Sequence, residues 1–266
     1  MPIDAASLLT PLGASGLVYR KSTLERGVYE AVIWDFGGVF TTSPFEAFAR
    51  YERENGLPEN LIRQINGMNH LTNAWARFER AELTIDEFDK AFADEALALG
   101  HYVPGKDVIA LLAGDVRPEM HEALRRIKQR YKAGCITNNV PSMQASASPE
   151  AQAESLQAEA EQIEQQNASQ LGAKASQDSF YKHEIMMLFD YVIESSKVGI
   201  RKPDPRIYKM MCAALRVAPD ACIYLDDLGV NLKPARAMGM HTIKVQSAKQ
   251  AIAELEAATG MKLLGD

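Results

Sequence analysis

The chain has 266 residues, with 29 lysines and arginines against 35 aspartates and glutamates, and a formal net charge of -6. That balance offers no basic field to attract nucleic acid, and no apolar run approaches the length of about 18 residues that reads as a membrane span. Three cysteines (Cys135, Cys212 and Cys222), an odd number among apolar neighbours, exclude a disulfide scaffold and point to a reducing, cytoplasmic setting, in one large domain or two smaller ones.

Residues 1–28, with Pro11, Gly13 and Gly16, form an N-terminal extension without the basic start and apolar run of a signal peptide. Ala31-Val-Ile-Trp34 is a buried strand that runs into a tight turn at Asp35-Phe-Gly-Gly38. From 45 to 114 the pattern is helical. Phe45, Phe48 and Ala49 share one face, as do Leu61, Ile62 and Ile65. Thr84-Ile-Asp-Glu87 fits a capping box ahead of Phe88 and Phe92. This stretch reads as a small helical unit, with Trp75, Phe78, Phe88 and Phe92 as its own core.

Helix and strand then alternate. Pro118 suits the first position of a helix facing inward through Met120, Ala123, Leu124 and Ile127. Gly134–Thr137 and Asp190–Glu194 are strands. Asp204-Pro205 starts a helix expected to face inward through Ile207, Met211, Ala214 and Leu215. Ala221–Leu225 is a strand ending at Asp226-Asp227, and Thr242–Val245 is the last strand. Ser247 and Gln250 can cap a final helix closed by Gly260. Repeated βα units define an α/β fold with a parallel, Rossmann-like sheet and right-handed crossovers. Residues 143–178, dominated by Ala, Gln, Glu and Ser, are a polar low-complexity insertion with helix formers around 149–166 and no evident chemistry.

In a doubly wound sheet, ligands bind beyond the carboxyl ends of the strands. Those ends carry Asp35, then Thr137-Asn138-Asn139, then Asp226-Asp227, with Arg201-Lys202 ahead of a capped helix. Any one of these has an ordinary use: a strand-end aspartate caps helices, Thr-Asn makes turns, and lysines sit in solvent. Gathered together, three carboxylates repel one another unless a cation lies among them, and hard oxygen donors suit Mg²⁺. Lys202 and the metal could neutralise a phosphate, Thr137 and Asn138 could donate to its oxygens, and Asp35 could attack phosphorus. Gly37 and Gly38 would let the backbone come close.

Asp35-Phe-Gly-Gly-Val39, Thr137-Asn138, Lys202-Pro203 and Asp226-Asp227 with Asn231 resemble, in chain order, the four motifs of the haloacid dehalogenase (HAD) superfamily. The stretches Ile193–Ser196, Arg201–Tyr208 and Leu225–Met240 are similar to the N-terminal phosphatase domain of soluble epoxide hydrolase and to the HAD-like domain of certain acyl-CoA dehydrogenases. The resemblance implies a core of 29–44 with 115–266, interrupted by an α-helical C1-type cap at 45–114. It implies Asp35 as nucleophile, and Lys202 as the lysine steadying nucleophile and phosphate. Thr137, Asn138 and the Gly37-Gly38 turn are implied at the substrate. A Mg²⁺ site is implied at Asp35, the Gly37 carbonyl and Asp227, with Asp226 as the other candidate of the pair.

One position departs from the pattern. Active family phosphatases carry a second aspartate two residues after the nucleophile, where this chain has Gly37. General acid–base help is worth about 10²–10⁴ in rate. The expectation is therefore a phosphatase for small phosphorylated molecules with good leaving groups, or one with a substitute donor such as His70, His101 or a cap carboxylate. The alternative is a HAD domain that binds phosphate compounds without useful turnover. Dehalogenation of 2-haloacids needs no Mg²⁺ and fits poorly with Asp226-Asp227. With no Gly-x-Ser-x-Gly elbow and a chain ending at Asp266, epoxide opening is not expected.

Overall fold

The computed structural model describes residues 29–141 and 180–265. The 1–28 extension and the 143–178 insertion, with its helical stretch around 149–166, lie outside the described residues.

β1 (Ala31–Trp34) is followed by five helices: α1 (Phe45–Glu54), α2 (Leu61–Gly67), α3 (Ala74–Glu79), α4 (Ile85–Leu97) and α5 (Gly105–Ala110). The chain then alternates through α6 (Pro118–Ile127), β2 (Lys132–Thr137), a helix over 180–188 (α7) and β3 (Tyr191–Glu194). It ends with α8 (Ser195–Val198), α9 (Pro205–Leu215), β4 (Cys222–Asp226), α10 (Gly229–Ala237), β5 (His241–Lys244) and α11 (Ala248–Thr259). The strands form one parallel sheet in the order β3-β2-β1-β4-β5. β1 is central, with Ala31 opposite Lys132 on one side and Cys222 on the other. The chain runs outward from β1 to β2 and β3 and then crosses to β4 and β5 on the other side, so the strand order reverses at β1 and a crevice opens at its carboxyl end.

The four residues of β1 alternate between two apolar layers, as strand geometry requires when both faces are covered. Val32 and Trp34 pack with α6, α7 and α11, while Ala31 and Ile33 pack with α9 and α10. All four are fully buried. Gly134 in β2 allows close approach of α9, since a Cβ there would lie 2.5 Å from Met211 Sδ. Met120, Ala123, Leu124 and Ile127 of α6 are buried as their spacing predicts. On α9 the buried set is Ile207, Tyr208, Met211, Cys212 and Leu215, and Ala214 is exposed, contrary to expectation. At 100° per residue the buried arc centres between Met211 and Tyr208, which leaves Ala214 about a quarter-turn off its axis. Helix α7 had no counterpart in the sequence pattern.

Helices α1–α5 pack around a separate apolar cluster that includes Phe48, Ile62, Phe78, Phe88 and Phe92. Phe78 and Phe88 stack with ring centroids 4.3 Å apart. The capping box at Thr84 and Glu87 starts α4. Buried Glu52 accepts from the Asn60 and Ile62 amides at 2.8 and 2.9 Å, which satisfies free donors at the start of α2. The two connections to the sheet run side by side: Thr41 bridges Val116, and the Thr42 amide donates to the Asp115 carbonyl at 2.8 Å. No helix of the described residues is long and apolar enough to cross a membrane.

Candidate active site

Three neighbouring strands deliver the site. Asp35 follows β1, and its amide donates to the Leu225 carbonyl of β4 at 2.8 Å, which continues the ladder one residue past the strand. Its Oδ1 accepts from the Phe36 amide at 2.7 Å. Asp226 ends β4, with Asp227 next in the chain, and Thr137 ends β2. Carboxylate oxygens of Asp35, Asp226 and Asp227 lie within 4.8 Å of one another. Lys202 is 1% exposed, and its Nζ sits 2.7 Å from Asp35 Oδ1 and 2.9 Å from Asp226 Oδ2.

The adjacent aspartates have different environments. Asp226 is fully buried, and its carboxylate accepts from Lys202, the Tyr224 hydroxyl, the Asn231 amide and the Leu228 backbone N–H. Tyr224 reaches it because residues two apart on a strand share a face. Asp227 is half-buried and lines the cavity, which Asp226 does not. Of the two, Asp227 is the carboxylate presented to a ligand, and Asp226 holds Lys202 and the start of α10.

Three acids around one ammonium leave negative charge in excess. Burial pushes the Asp35 carboxyl well above the usual carboxylate range; Lys202 opposes this, and Asp226 and Asp227 add to it. Burial, with Asp226 contributing, pushes Asp227 up to about 6. Burial works against the Lys202 charge, but Asp226 and Asp35 outweigh it and hold the ammonium above its ordinary range. An excess of carboxylates over ammonium is the electrostatic condition that a divalent ion held among them would relieve.

Gly38 has φ +72°, and a Cβ there would fall 2.2 Å from Asp227 Oδ2. Glycine is therefore required for Asp227 to occupy its place. Gly38 is buried, with its carbonyl accepting from Arg117 Nη1 at 2.9 Å, and it does not line the cavity. Expected at the substrate, Gly38 lies behind Asp227 and off the cavity lining. Gly37 does line the cavity, and a Cβ there would meet nothing within 4 Å. The space in which the usual second aspartate would start is open.

Asn138 grips Lys202 at both backbone groups: Oδ1 accepts from the Lys202 amide at 2.8 Å, and Nδ2 donates to its carbonyl at 3.1 Å. Asn139 accepts at Oδ1 from the Ser196 amide and hydroxyl and donates from Nδ2 to the Glu194 carboxylate, fixing the loop after β2 to the end of β3. A residue that sequence reasoning did not single out joins this network from the helical unit. Glu79, 5% exposed at the end of α3, accepts from Trp75 Nε1 at 2.8 Å and Asn138 Nδ2 at 3.3 Å, and pairs with Arg201 Nε at 2.5 Å. Burial raises its carboxyl while Arg201 opposes. With both oxygens accepting from these donors, Glu79 ties α3 to the loop that carries Lys202. Of the substitute donors considered, His70 and Glu79 line the cavity and His101 does not. No sequence spacing announces Glu79, since it depends on α3 meeting the loop before α9.

The cavity has a volume of about 690 Å³ and lies between the strand ends and α1–α3. Its floor is Asp35, Gly37, Thr137, Asn138, Lys202 and Asp227, so the sequence-predicted residues converge there except for Gly38 and Asp226, which stand behind it. Trp75 lines it as well, while Phe78, Phe88 and Phe92 belong to the helical core.

A parallel sheet with a carboxylate–lysine cluster at the end of its central strand, below an inserted helical unit, is the arrangement of a HAD-type hydrolase. The chain belongs to the haloacid dehalogenase-like hydrolase family, whose model matches residues 29–239. Among curated relatives, acyl-CoA dehydrogenase family member 10 of Mus musculus is 32% identical over 88% of this chain and 20% of its own length. Bifunctional epoxide hydrolase 2 of Sus scrofa is 28% identical over 88% of this chain and 39% of its own length. The chain thus spans a fifth to two fifths of those relatives. A phosphatase of Mycobacterium tuberculosis is 31% identical over 83% of this chain and 88% of its own length. In fold, the chain is similar to a HAD family enzyme of Bacteroides thetaiotaomicron solved with magnesium and inorganic phosphate (TM-score 0.52, 18% identity, 85% of this chain and 98% of that one).

Proposed function

We propose that this hydrolase is a Mg²⁺-dependent phosphatase of small organophosphates that works through an aspartyl-phosphate at Asp35, with α1–α5 as its cap. The observation that carries this reading is the convergence of Asp35, Asp227 and Lys202 with Thr137 on one cavity floor. Similarity to a phosphatase along most of both chains supports it.

Asp35, the Gly37 carbonyl and Asp227 would hold the metal. The ion, when bound, supplies charge that draws the phosphoryl group to the floor and stabilises its developing negative charge. Lys202 holds one oxygen of Asp35, so the other is free to attack phosphorus. The Thr137 hydroxyl would donate to a phosphate oxygen, while the Asn138 side chain, whose amide is taken up by Lys202 and Glu79, holds Lys202 in place beside it. Attack by Asp35 forms the Oδ–P bond and breaks the ester P–O bond, releasing an alkoxide. Water then cleaves the aspartyl-phosphate, giving inorganic phosphate and restoring the carboxylate. Gly37 has no side chain to protonate the alkoxide, so the leaving oxygen takes its proton from water. This reading predicts turnover biased to esters with acidic leaving groups.

The open space at Gly37 also favours a second reading, a HAD domain that binds phosphate compounds with little turnover. A panel of phosphate esters graded in leaving-group acidity, run with Mg²⁺, with EDTA and with Asp35→Asn, separates the two. The phosphatase reading predicts release of phosphate that is lost with EDTA and in the variant. It also predicts that Gly37→Asp raises turnover of poor leaving groups by about 10²–10⁴. Absence of Asp35-dependent turnover across the panel sinks it.

A further inference from the structure

Among the described residues, four cationic side chains line the cavity: Arg63, Lys182, Arg201 and Lys202. Two are neutralised by the protein, Lys202 by Asp35 and Asp226, and Arg201 by Glu79. Arg63 and Lys182 make no ion pair with any described residue. In a chain where acids outnumber bases, two unmatched cations on one cavity lining call for an explanation. They stand on different walls, Arg63 on α2 of the helical unit and Lys182 on α7 beside the sheet. Arg63 is also held in place: its guanidinium carbon lies 4.3 Å from the Phe45 ring centroid. Stacking engages the face of the guanidinium and leaves its N–H edge available.

Besides the floor residues and these cations, the lining includes a set of apolar side chains, Phe45, Phe48, Leu112, Val140, Leu228 and Val230. At about 690 Å³ the cavity is of a size that encloses an organic ligand. A phosphate engages the floor. Whatever extends from it shares the cavity with apolar side chains and with the two cations that no described residue pairs.

We infer that the preferred substrate is a phosphate ester with an apolar body and a second anionic group, a carboxylate or another phosphate, received by Arg63 and Lys182. This rests on the phosphate-binding floor of the proposed function and adds the recognition of the remainder of the molecule. The second charge acts through binding: its partners are not among the floor residues that would engage the phosphoryl group, and it is held equally before and during the reaction. It lowers KM and leaves kcat in place.

The test uses alkyl phosphates of matched length ending in methyl, carboxylate or phosphate, assayed with Mg²⁺ on wild type, Arg63→Gln, Lys182→Gln and the double variant. A charge-assisted hydrogen bond predicts a kcat/KM about tenfold higher for an anionic end than for methyl, expressed in KM. The ratio falls towards one in the double variant, and the carboxylate and phosphate arms show which second anion is favoured. Calorimetry with the corresponding non-hydrolysable phosphonates separates this inference from the phosphatase reading. Anion-dependent phosphonate binding that the double variant loses sustains the inference even where no ester turns over, a result that removes only the phosphatase. Equal binding of the methyl-ended and anion-ended phosphonates overturns the inference, as does a preference that persists in the double variant, or failure of every phosphonate to bind.

Discussion

The floor of the cavity and its helical wall are stable for different reasons. At and behind the floor, Lys202, Asp226, Tyr224 and Asn231 are buried polar groups whose donors and acceptors are matched to one another, so each is held by its partners. In the wall, α1–α5 are held by aromatic and aliphatic packing, with Phe78, Phe88 and Phe92 fully buried. Glu79 joins the two, reaching from α3 to Asn138 and Arg201. The contrast teaches that the atoms expected to do chemistry are fixed by charge and hydrogen bonding, and the atoms expected to choose the substrate are fixed by packing. Polar networks fail when one member goes, whereas packed clusters lose stability in proportion to the volume removed.

The largest effect is expected on the floor. Asp226→Ala strips Lys202 of one counter-charge and leaves Tyr224, Asn231 and the Leu228 amide without their acceptor. Breaking a buried pair by removing one partner costs about 3–5 kcal/mol, to be read as a lower urea midpoint. A variant as stable as wild type would show that the floor is not the interlocked network described. Phe88→Ala removes a ring stacked on Phe78 and should cost about 3–5 kcal/mol. By hydrogen exchange its loss of protection should concentrate in residues 45–112; equal loss in β1 and β4 would break the comparison. Glu79→Ala should cost less, about 1–3 kcal/mol, by leaving the Trp75 N–H without its acceptor and Arg201 without its counter-charge. Both α3 and the loop carrying Lys202 should then exchange faster. An effect confined to α3 would show that Glu79 serves the helical unit alone.

The same contrast explains what was legible in the sequence. The floor could be read because a strand end is a position in the sequence: Asp35, Thr137 and Asp226 each follow a short apolar run that marks its own strand. Helix caps could be read for the same reason, and Thr84, Asp204 and Ser247 cap the helices assigned to them. Local pattern did not separate Asp226 from Asp227, because the division of labour depends on Lys202 and Asn231 arriving from other elements. Nor did it reveal the reason for Gly38, which is the proximity of Asp227 across the turn. Ala214 was misplaced because a helical period defines a face without defining where the neighbouring sheet cuts it. Glu79, Arg63 and Lys182 were invisible, since a charged residue on an amphipathic helix resembles any solvated one until the facing wall is known.

The central claim is that Asp35 carries the phosphoryl group. Wild type and Asp35→Asn are mixed with p-nitrophenyl phosphate and Mg²⁺, quenched in acid within a single turnover, and mapped by peptide mass. The account predicts a phosphorylated peptide containing Asp35 in wild type and none in the variant, with nitrophenol release lost alongside it. Phosphate on another residue, or undiminished nitrophenol release by Asp35→Asn, would contradict it.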